Sequence, residues 1–434
     1  MIQKILENLK IESLNQMQES ALKAAIKPGD LVLLSPTGSG KTLGFLLPLI
    51  ESLDKTHTGI QALILVPSRE LALQIEQVFK QMGTGFKVNC CYGGHDTKIE
   101  RNNLSHPPAV LVGTPGRIAF HIRNGYINTD TITTLILDEF DKSLEFGFEQ
   151  EMSGIIADLT KIKKRMLISA TRMPEVPAFT GLRKPTVLDF LDDKKQPGTE
   201  LSRKYLRATD KDKLDLLVGL ICKLGSASTL IFCNHRDAVE RVGALLEEMG
   251  ISHGIFHGGM DQDDREKALI KFRNGTHRLL ITTDLASRGL DIPEIEAVIH
   301  YQLPVTVEVY THRNGRTARM HANGTSYILL SASEHIPPFI PDKHEEETLP
   351  LERILPKPSI WKTLYIGAGK KDKINKMDIV GTLLQKGNLG KDELGLVEVL
   401  DNASFAAIKA DKITKVFERI KNEKIKNKKV RFGL

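Results

Sequence analysis

"DLVLLSPTGSGKTLGFLLPLI", residues 30–50, changes character twice in quick succession. A strand-length apolar run, Leu31–Leu34, gives way to a loop of small and polar residues, and an apolar stretch with helical spacing starts at Lys41. Strand, glycine-bearing loop and helix in that order aim backbone N–H groups and a helix N-terminus at one small volume, which suits an anion. Gly38 and Gly40 let the backbone crowd phosphate oxygens, Lys41 reaches toward the β/γ-phosphates and the Thr42 hydroxyl can ligate Mg²⁺, with Thr37 and Ser39 completing the loop. Ser35 stands where the GxxxxGK[ST] pattern has its first glycine, so the flanking strand and helix carry the reading. A bound nucleotide with Mg²⁺ is the expectation, and ATP the expected cofactor.

A Mg-nucleotide site of this kind wants a carboxylate at the end of a second buried strand and a neighbour to activate water. "TLILDEFD" (134–141) offers Asp138 for the metal and Glu139 for the water. Hydrolysis also needs positive charge on the transition state. The first half shows no obvious arginine finger, but "HRNGRTARM" (312–320) spaces Arg313, Arg316 and Arg319 three apart. A finger contributes roughly 10³–10⁵ in rate, or about 4–7 kcal/mol, so fingers on a different domain would make nucleotide a switch for domain closure.

Those two halves echo one another. "QALILVPSRELALQIEQVFKQMGTGFKVNCCYGGHD" (61–96) and "STLIFCNHRDAVERVGALLEEMGISHGIFHGGMD" (228–261) share an order of buried strand, Arg, helix, Met-Gly turn, strand and Gly-Gly. The repeat distance is domain-sized, so two tandem domains of parallel α/β type are expected, joined by the polar "DDKKQPGTE" (192–200). After a Pro-rich, charged stretch, residues 336–359, the last part of the chain spells β-α-β-β-α-β, the layout of an RNA recognition motif.

Charge is segregated. From Trp361 to Leu434 there are 17 Lys and Arg against 9 Asp and Glu, leaving 43 against 45 in residues 1–360. The whole positive excess lies in the tail, which favours a polyanion partner there. Four cysteines without CxxC spacing and histidines without a ligand pattern exclude a disulfide framework and a zinc site. The amino-terminal "MIQKILENLKIESL" is charged throughout, and the longest apolar runs are strand-length, so a cytoplasmic protein is expected, with no membrane partner and as a monomer.

In order, "SPTGSGKT", "PSRELA", "GG", "TPGR", "DEFD", "SAT", "LIFCNHR", "TTDLASRGLD" and "HRNGRTAR" resemble the DEAD-box RNA helicases over nearly all of residues 10–335. The resemblance implies an α/β fold of two tandem RecA-like P-loop NTPase domains with parallel sheets, residues 1–192 and 201–335, a linker 336–359 and a small α+β RRM-like domain, 360–434. It assigns Gln18 to adenine, Gly289 and Asp291 to ATP, Lys41 to phosphate, Thr42 and Asp138 to Mg²⁺, Glu139 to the attacking water, and Arg316 and Arg319 to fingers. Ser169 and Thr171 would couple nucleotide to RNA. Arg69, Gly94, Thr114, Arg117, Arg236, Gly258, Thr283 and Asp284 would hold the RNA backbone without reading bases.

"TLYIGAGKKDKI" (363–374), "VEVLDNASFAAIK" (397–409) and "EKIKNKKVRF" (423–432) resemble the carboxyl-terminal module of the DbpA-like helicases, which implies a structured hairpin of large-subunit ribosomal RNA as target and a pre-ribosomal particle as setting. Of the three aromatics that an RNA-recognition sheet usually offers, Phe405 fills one place, while Ala407 and Ala410 leave two empty. Tyr365 is either a second platform or core. Lys370, Lys371 and Lys373, with the run from Lys424 to Lys429, are expected to bear much of the binding. Phe140, where the signature has Ala, is expected to pack against the "SAT" strand; if it instead disabled turnover, the chain would be an RNA-binding assembly factor without hydrolysis. A DNA-directed translocase is disfavoured by the RNA-type tail.

Overall fold

The computed structural model describes residues 1–36, 38–94, 97–173, 175–191, 201–287, 295–317, 324–340 and 344–434, and all counts below are of these. Described residues up to 191 form one compact unit and the described residues from 201 onward a second.

The first unit is built on seven parallel strands: β1 (Leu31–Leu34), β2 (Ala62–Leu65), β3 (Val88–Cys91), β4 (Val110–Gly113), β5 (Thr134–Leu137), β6 (Lys164–Ser169) and β7 (Thr186–Asp189), in the order β3-β4-β2-β5-β6-β1-β7. A parallel sheet is covered on both faces, so its strands are apolar throughout rather than alternating with polar residues. Period-2 geometry sends alternate residues of each run to opposite cores. Leu31, Leu33, Ile64, Val112 and Ile136 lie in one, and Val32, Leu34, Leu63, Leu65, Leu111 and Leu135 in the other. Phe140 joins the second core, with its ring centroid 6.1 Å from that of Phe179 and Leu167 of β6 in the same cluster, as the sequence leads one to expect.

The second unit repeats the plan with β8 (Leu201–Arg207), β9 (Thr229–Phe232), β10 (Gly254–Phe256), β11 (Leu279–Thr282), β12 (Ala297–His300), β13 (Gly324–Leu330) and β14 (Glu345–Glu346), in the order β10-β11-β9-β12-β13-β8-β14, again parallel. The carboxyl-terminal stretch adds an antiparallel sheet of β15 (Trp361–Ile366), β16 (Leu394–Val399), β17 (Ser404–Lys409) and β20 (Phe432–Gly433), in the order β16-β17-β15-β20, and a small hairpin, β18 (Lys424–Ile425) and β19 (Lys428–Lys429). Helices Lys376–Gln385 and Ile413–Ile420 cover one face of that sheet. Asn375 caps the first of them, its side chain accepting from the Asp378 N–H at 3.1 Å.

Part of the stretch read as a linker is seated on the second unit. β14 extends its sheet, Glu347 takes ion pairs from Lys204 (2.8 Å) and Lys223 (2.6 Å), and Arg353 forms a two-armed pair with Asp215. No helix among the described residues is long and apolar enough to cross a membrane.

Candidate nucleotide and RNA site

Parallel strands deliver every strand-end loop to one rim of the sheet, and that rim is where α/β domains bind ligands. In the first unit the rim divides in two. The neighbouring strands β1, β6 and β5 end in the Ser35–Thr42 loop, in Ser169–Thr171 and in Asp138–Glu139; β2, β4 and β3 end just before Arg69, Thr114 and Gly94. Sheet order thus groups the nucleotide residues predicted from sequence on one side and the RNA residues on the other.

On the nucleotide side the loop closes on itself. Lys41 Nζ donates to the Ser35 carbonyl (2.7 Å) and the Pro36 carbonyl (2.8 Å), and the Ser35 hydroxyl meets that of Ser39 at 2.7 Å. Gly40, at φ 83°, caps helix Lys41–Ser52; a Cβ there would also strike Gln18 Nε2 at 2.6 Å, so only glycine fits. Gln18 itself is buried, donating to the Gly40 carbonyl (3.2 Å) and accepting from the Asn15 N–H (3.0 Å). The residue assigned to adenine therefore touches the phosphate loop directly.

Asp138 and Glu139 are both buried. Burial and the adjacent Glu139 carboxylate push the Asp138 carboxyl up to about 7, against the pull of Lys41. The Asp138 carboxylate accepts the Glu139 N–H at 2.9 Å, while Glu139 Oε2 is buried without a hydrogen-bond partner. A desolvated carboxylate pair of this kind, one oxygen orphaned and a lysine within electrostatic reach, fits a divalent cation and a polarised water.

"SAT" is wired to both flanks. Ser169 Oγ accepts from the Thr171 N–H (3.1 Å), the Ser35 N–H donates to the Ser169 carbonyl (3.1 Å), and the Thr171 hydroxyl donates to Asp141 (2.9 Å). Asp141, the last residue of "DEFD", thereby joins the site; a two-carboxylate reading of that motif gave no signal for it.

On the RNA side, Arg69 opens helix Arg69–Gln81, and its guanidinium lies where a Cβ on Gly94 (φ 85°) would come within 2.8 Å of it. Arg117 Nε donates to Glu100 (2.7 Å), whose other oxygen accepts from the N–H of Tyr92, just before the Gly pair; His121 also meets Glu100 at 2.7 Å. Glu100 thus ties the "GG" loop to the helix that Thr114 caps. Ligand atoms of Cys91, Glu100 and His121 lie within 4.8 Å of one another, but the Arg117 guanidinium already supplies the cation there.

The second unit also brings RNA candidates to its strand ends. Adjacent strands β9, β10 and β11 end near Arg236, Gly258 and Thr283–Asp284. Arg236 is exposed, and Gly258 has open space around its Cβ position. Arg313 is not a free finger: it is fully buried, gripping Asp284 through Nε (2.6 Å) and Nη2 (3.2 Å), with further bonds to the Gln302 carbonyl and Asn234. Arg316 follows helix Val307–Asn314 and is also buried. Thr37, Gly289, Asp291 and Arg319 lie outside the described residues.

In the tail, the two lysine clusters meet. Lys370, Lys371 and Lys373 are exposed on a short turn; Lys426 Nζ reaches the Lys373 carbonyl (3.1 Å) and Lys428 pairs with Asp372 (3.4 Å). Lys426 and Asn427, at φ 48° and 65°, form the tight hairpin turn between β18 and β19 that brings this about. Phe405, by contrast, is 4% exposed and stands edge-on to Tyr365, centroids 5.6 Å apart.

Comparison with known proteins agrees with this layout. The DEAD/DEAH box helicase family matches residues 15–178, the helicase conserved C-terminal domain 212–321 and the DbpA RNA binding domain 363–433. The ATP-dependent RNA helicase DbpA of Bacillus subtilis (strain 168) is 30% identical over 471 residues, spanning 99% of this chain and 96% of that protein. Its namesake from Escherichia coli (strain K12) is 30% identical over 433 residues, 97% and 94% of the two chains. Among solved structures, S. cerevisiae Dbp5 bound to RNA and ADP BeF3 superposes with TM-score 0.69 at 26% identity, over 76% of this chain and 88% of that one. Mss116p bound to ssRNA and AMP-PNP shares the fold, with TM-score 0.71 at 24% identity over 80% and 77% of the two chains. Two parallel-sheet lobes and an antiparallel tail, each under its own family match and spanned end to end by these relatives, identify the chain as a member of the DbpA-like DEAD-box family of ATP-dependent RNA helicases.

Proposed function

We propose that the tail recruits this helicase to a structured element of large-subunit ribosomal RNA, and that ATP turnover then separates short duplexes nearby during ribosome assembly. The observation that carries the reading is the divided rim of the first sheet, where a buried carboxylate pair ends β5 and the loops and helices bearing Arg69, Gly94, Thr114 and Arg117 follow the strands on its other side. Thr42 and Asp138 would hold Mg²⁺, which neutralises charge on the phosphates. Lys41 leaves its loop carbonyls for the phosphates, Glu139 orients and deprotonates the attacking water, and Arg316 with Arg319 meets the charge that develops as the terminal bond breaks. Thr171, bonded to Asp141, passes the state of the carboxylates to the RNA side. Phe140 supports turnover rather than a passive binder, since its ring is buried in the core with Leu167 and Phe179 rather than set between the carboxylates. The basic corner of the tail supports recruitment by phosphate contacts. The proposed setting is a cytoplasmic pre-ribosomal particle on which the chain acts as a monomer.

ATP hydrolysis with a fragment of large-subunit ribosomal RNA, with unstructured RNA of equal length and with DNA of the same sequence tests this. Stimulation is expected to be strongest with the ribosomal fragment and absent with DNA. Glu139→Gln should lower turnover about 10²–10⁴-fold and Arg316→Ala about 10³–10⁵-fold, with tail binding to RNA nearly unchanged in both. Equal stimulation by all three nucleic acids would overturn the ribosomal assignment, and equal loss of turnover and tail binding would overturn the division of labour.

A further inference from the structure

The tail's sheet has two faces and one set of helices. Leu364, Ile366, Ala406 and Ile408 point to the helices and form the tail's core. Their neighbours point the other way, in cross-strand pairs Trp361 with Lys409, Thr363 with Ala407, and Tyr365 with Phe405. That outer face should be open to solvent, yet Thr363 is 7%, Ala407 0% and Phe405 4% exposed.

Part of the cover comes from the second lobe. Helix Gln262–Arg273 ends against this face, and Arg273 donates to Glu398 of β16 at 2.7 Å. In the turn that follows, Asn274 Nδ2 donates to the Thr363 hydroxyl (2.8 Å), the Thr276 hydroxyl meets the same oxygen (2.8 Å), and the Gly275 carbonyl accepts from Ser359. Gly275, at φ 78°, carries its backbone along the edge of the Trp361 indole, whose face is capped by Lys409 Nζ at 4.7 Å. Asn274 and Thr363 are both buried, so their bond is shielded from water, where a lost partner is costly.

The approach to this seam is also fixed. β14, Glu347 and Arg353 pin the chain to the second lobe, leaving only residues 354–358 between the Asp215–Arg353 pair and Ser359. A tether that short gives a high effective concentration of the tail at its seat, so a modest polar seam suffices to keep it closed.

We propose that the outer face of the tail's sheet is a docking face for the second lobe, latched by Arg273–Glu398 and by the Asn274–Thr363–Thr276 cluster, so that the tail is carried as a fixed arm. RNA then meets the tail at its lysine corner, and the bound element is held at one set distance from the lobe. This second step rests on reading the tail as the recruiting domain; the first does not.

Trp361 is the protein's single tryptophan and lies in the seam, which makes it a reporter. In the full chain, Arg273→Glu and Glu398→Arg should each raise acrylamide quenching of its fluorescence severalfold, and the double exchange should return it near the wild-type value. Thr363→Val, which keeps volume and removes both hydroxyl bonds, should raise quenching without a change of charge; circular dichroism and melting curves identify any variant that has unfolded. Single variants that quench like wild type, or an exchange that quenches like the singles, would overturn the latch. A second measurement uses RNA in which a ribosomal hairpin and a duplex are joined by single-stranded spacers of graded length. Wild type should unwind best at one spacer length, and Arg273→Glu should lose that preference while binding the hairpin alone with unchanged affinity. Spacer-independent unwinding by wild type would overturn the fixed arm. Failure to bind the hairpin at all would instead count against the recruiting role, leaving the quenching result intact.

Discussion

Glu139 occupies a backbone conformation that a glutamate seldom adopts, φ 46° and ψ 49°. Left-handed geometry costs a residue with a Cβ about 1–2 kcal/mol, and such strain persists only where the surroundings over-determine it. Here they do. The Asp138 carboxylate accepts the Glu139 N–H, and the next residue, Phe140, is anchored in the core as the first residue of helix Phe140–Glu145. The result throws the glutamate off the end of β5 with one carboxylate oxygen left for a ligand. A single hydroxyl then carries the connection outward, from Thr171 to Asp141. Thr171→Val keeps the shape and removes that bond, so duplex unwinding should fall at least tenfold while RNA-stimulated ATP turnover changes less than threefold, about what losing one charge-assisted hydrogen bond of 1.5–3 kcal/mol allows. Parallel strand-displacement and phosphate-release assays read the two quantities; equal losses would mean that Thr171 serves catalysis and not coupling.

Strand ends and the helices that follow them place most of the candidates among the described residues, and this is the scale at which the sequence was most and least legible. The Ser35–Thr42 loop and Asp138–Glu139 could be read because each is a local pattern, a strand with its own terminal chemistry. The Glu100 node could not. Its partners Tyr92, Arg117 and His121 stand on other elements, and they meet only because β3 and β4 are neighbours in the sheet. Arg313 was legible as one of three spaced arginines, but its burial against Asp284, Asn234 and Gln302 was not, since nothing local separates a buried arginine from a reaching one. β14 escaped for the opposite reason: two consecutive glutamates carry no strand signature. Glu100→Ala would strand a buried histidine and a half-buried guanidinium together. Breaking a buried pair in this way costs about 3–5 kcal/mol, so the first lobe should melt markedly earlier. Glu100→Gln keeps an acceptor for Tyr92 and should recover part of that stability, yet still raise the RNA concentration needed for half-maximal ATP turnover, because Arg117 loses its orienting charge. Differential scanning calorimetry and RNA titrations separate the two effects.

Over the whole molecule, the two lobes share a plan but not a titration. In the second lobe burial, with Arg313 close by, holds the His300 imidazole down at about 3, and burial next to Lys271 holds His277 at about 4. Both are neutral in the folded chain below the pH at which the unfolded chain takes up protons, about 6.5. The unfolded state therefore binds more protons between pH 6.5 and these folded values, and stability is full above pH 6.5 and declines as pH falls through the window, by up to about 1.4 kcal/mol per pH unit for each group. Urea unfolding of the full chain at pH 7.5, 6.5, 5.5 and 5.0 should show the second lobe losing stability first. His300→Gln should flatten the slope even though it lowers stability at neutral pH; an unchanged slope would remove His300 from the account.

β14 has one more consequence. It lies outermost beside β8 and pairs with Lys204 and Tyr205, whose backbone groups would otherwise face solution at the centre of that edge, an adhesive border of the kind that invites another sheet. Two exposed acidic side chains on the covering strand turn that border into one that repels its own copies. Shortening the chain at residue 335, the expected end of the second domain, would strip this guard, and light scattering should show the product clumping where a fragment that runs on to residue 356 stays dispersed.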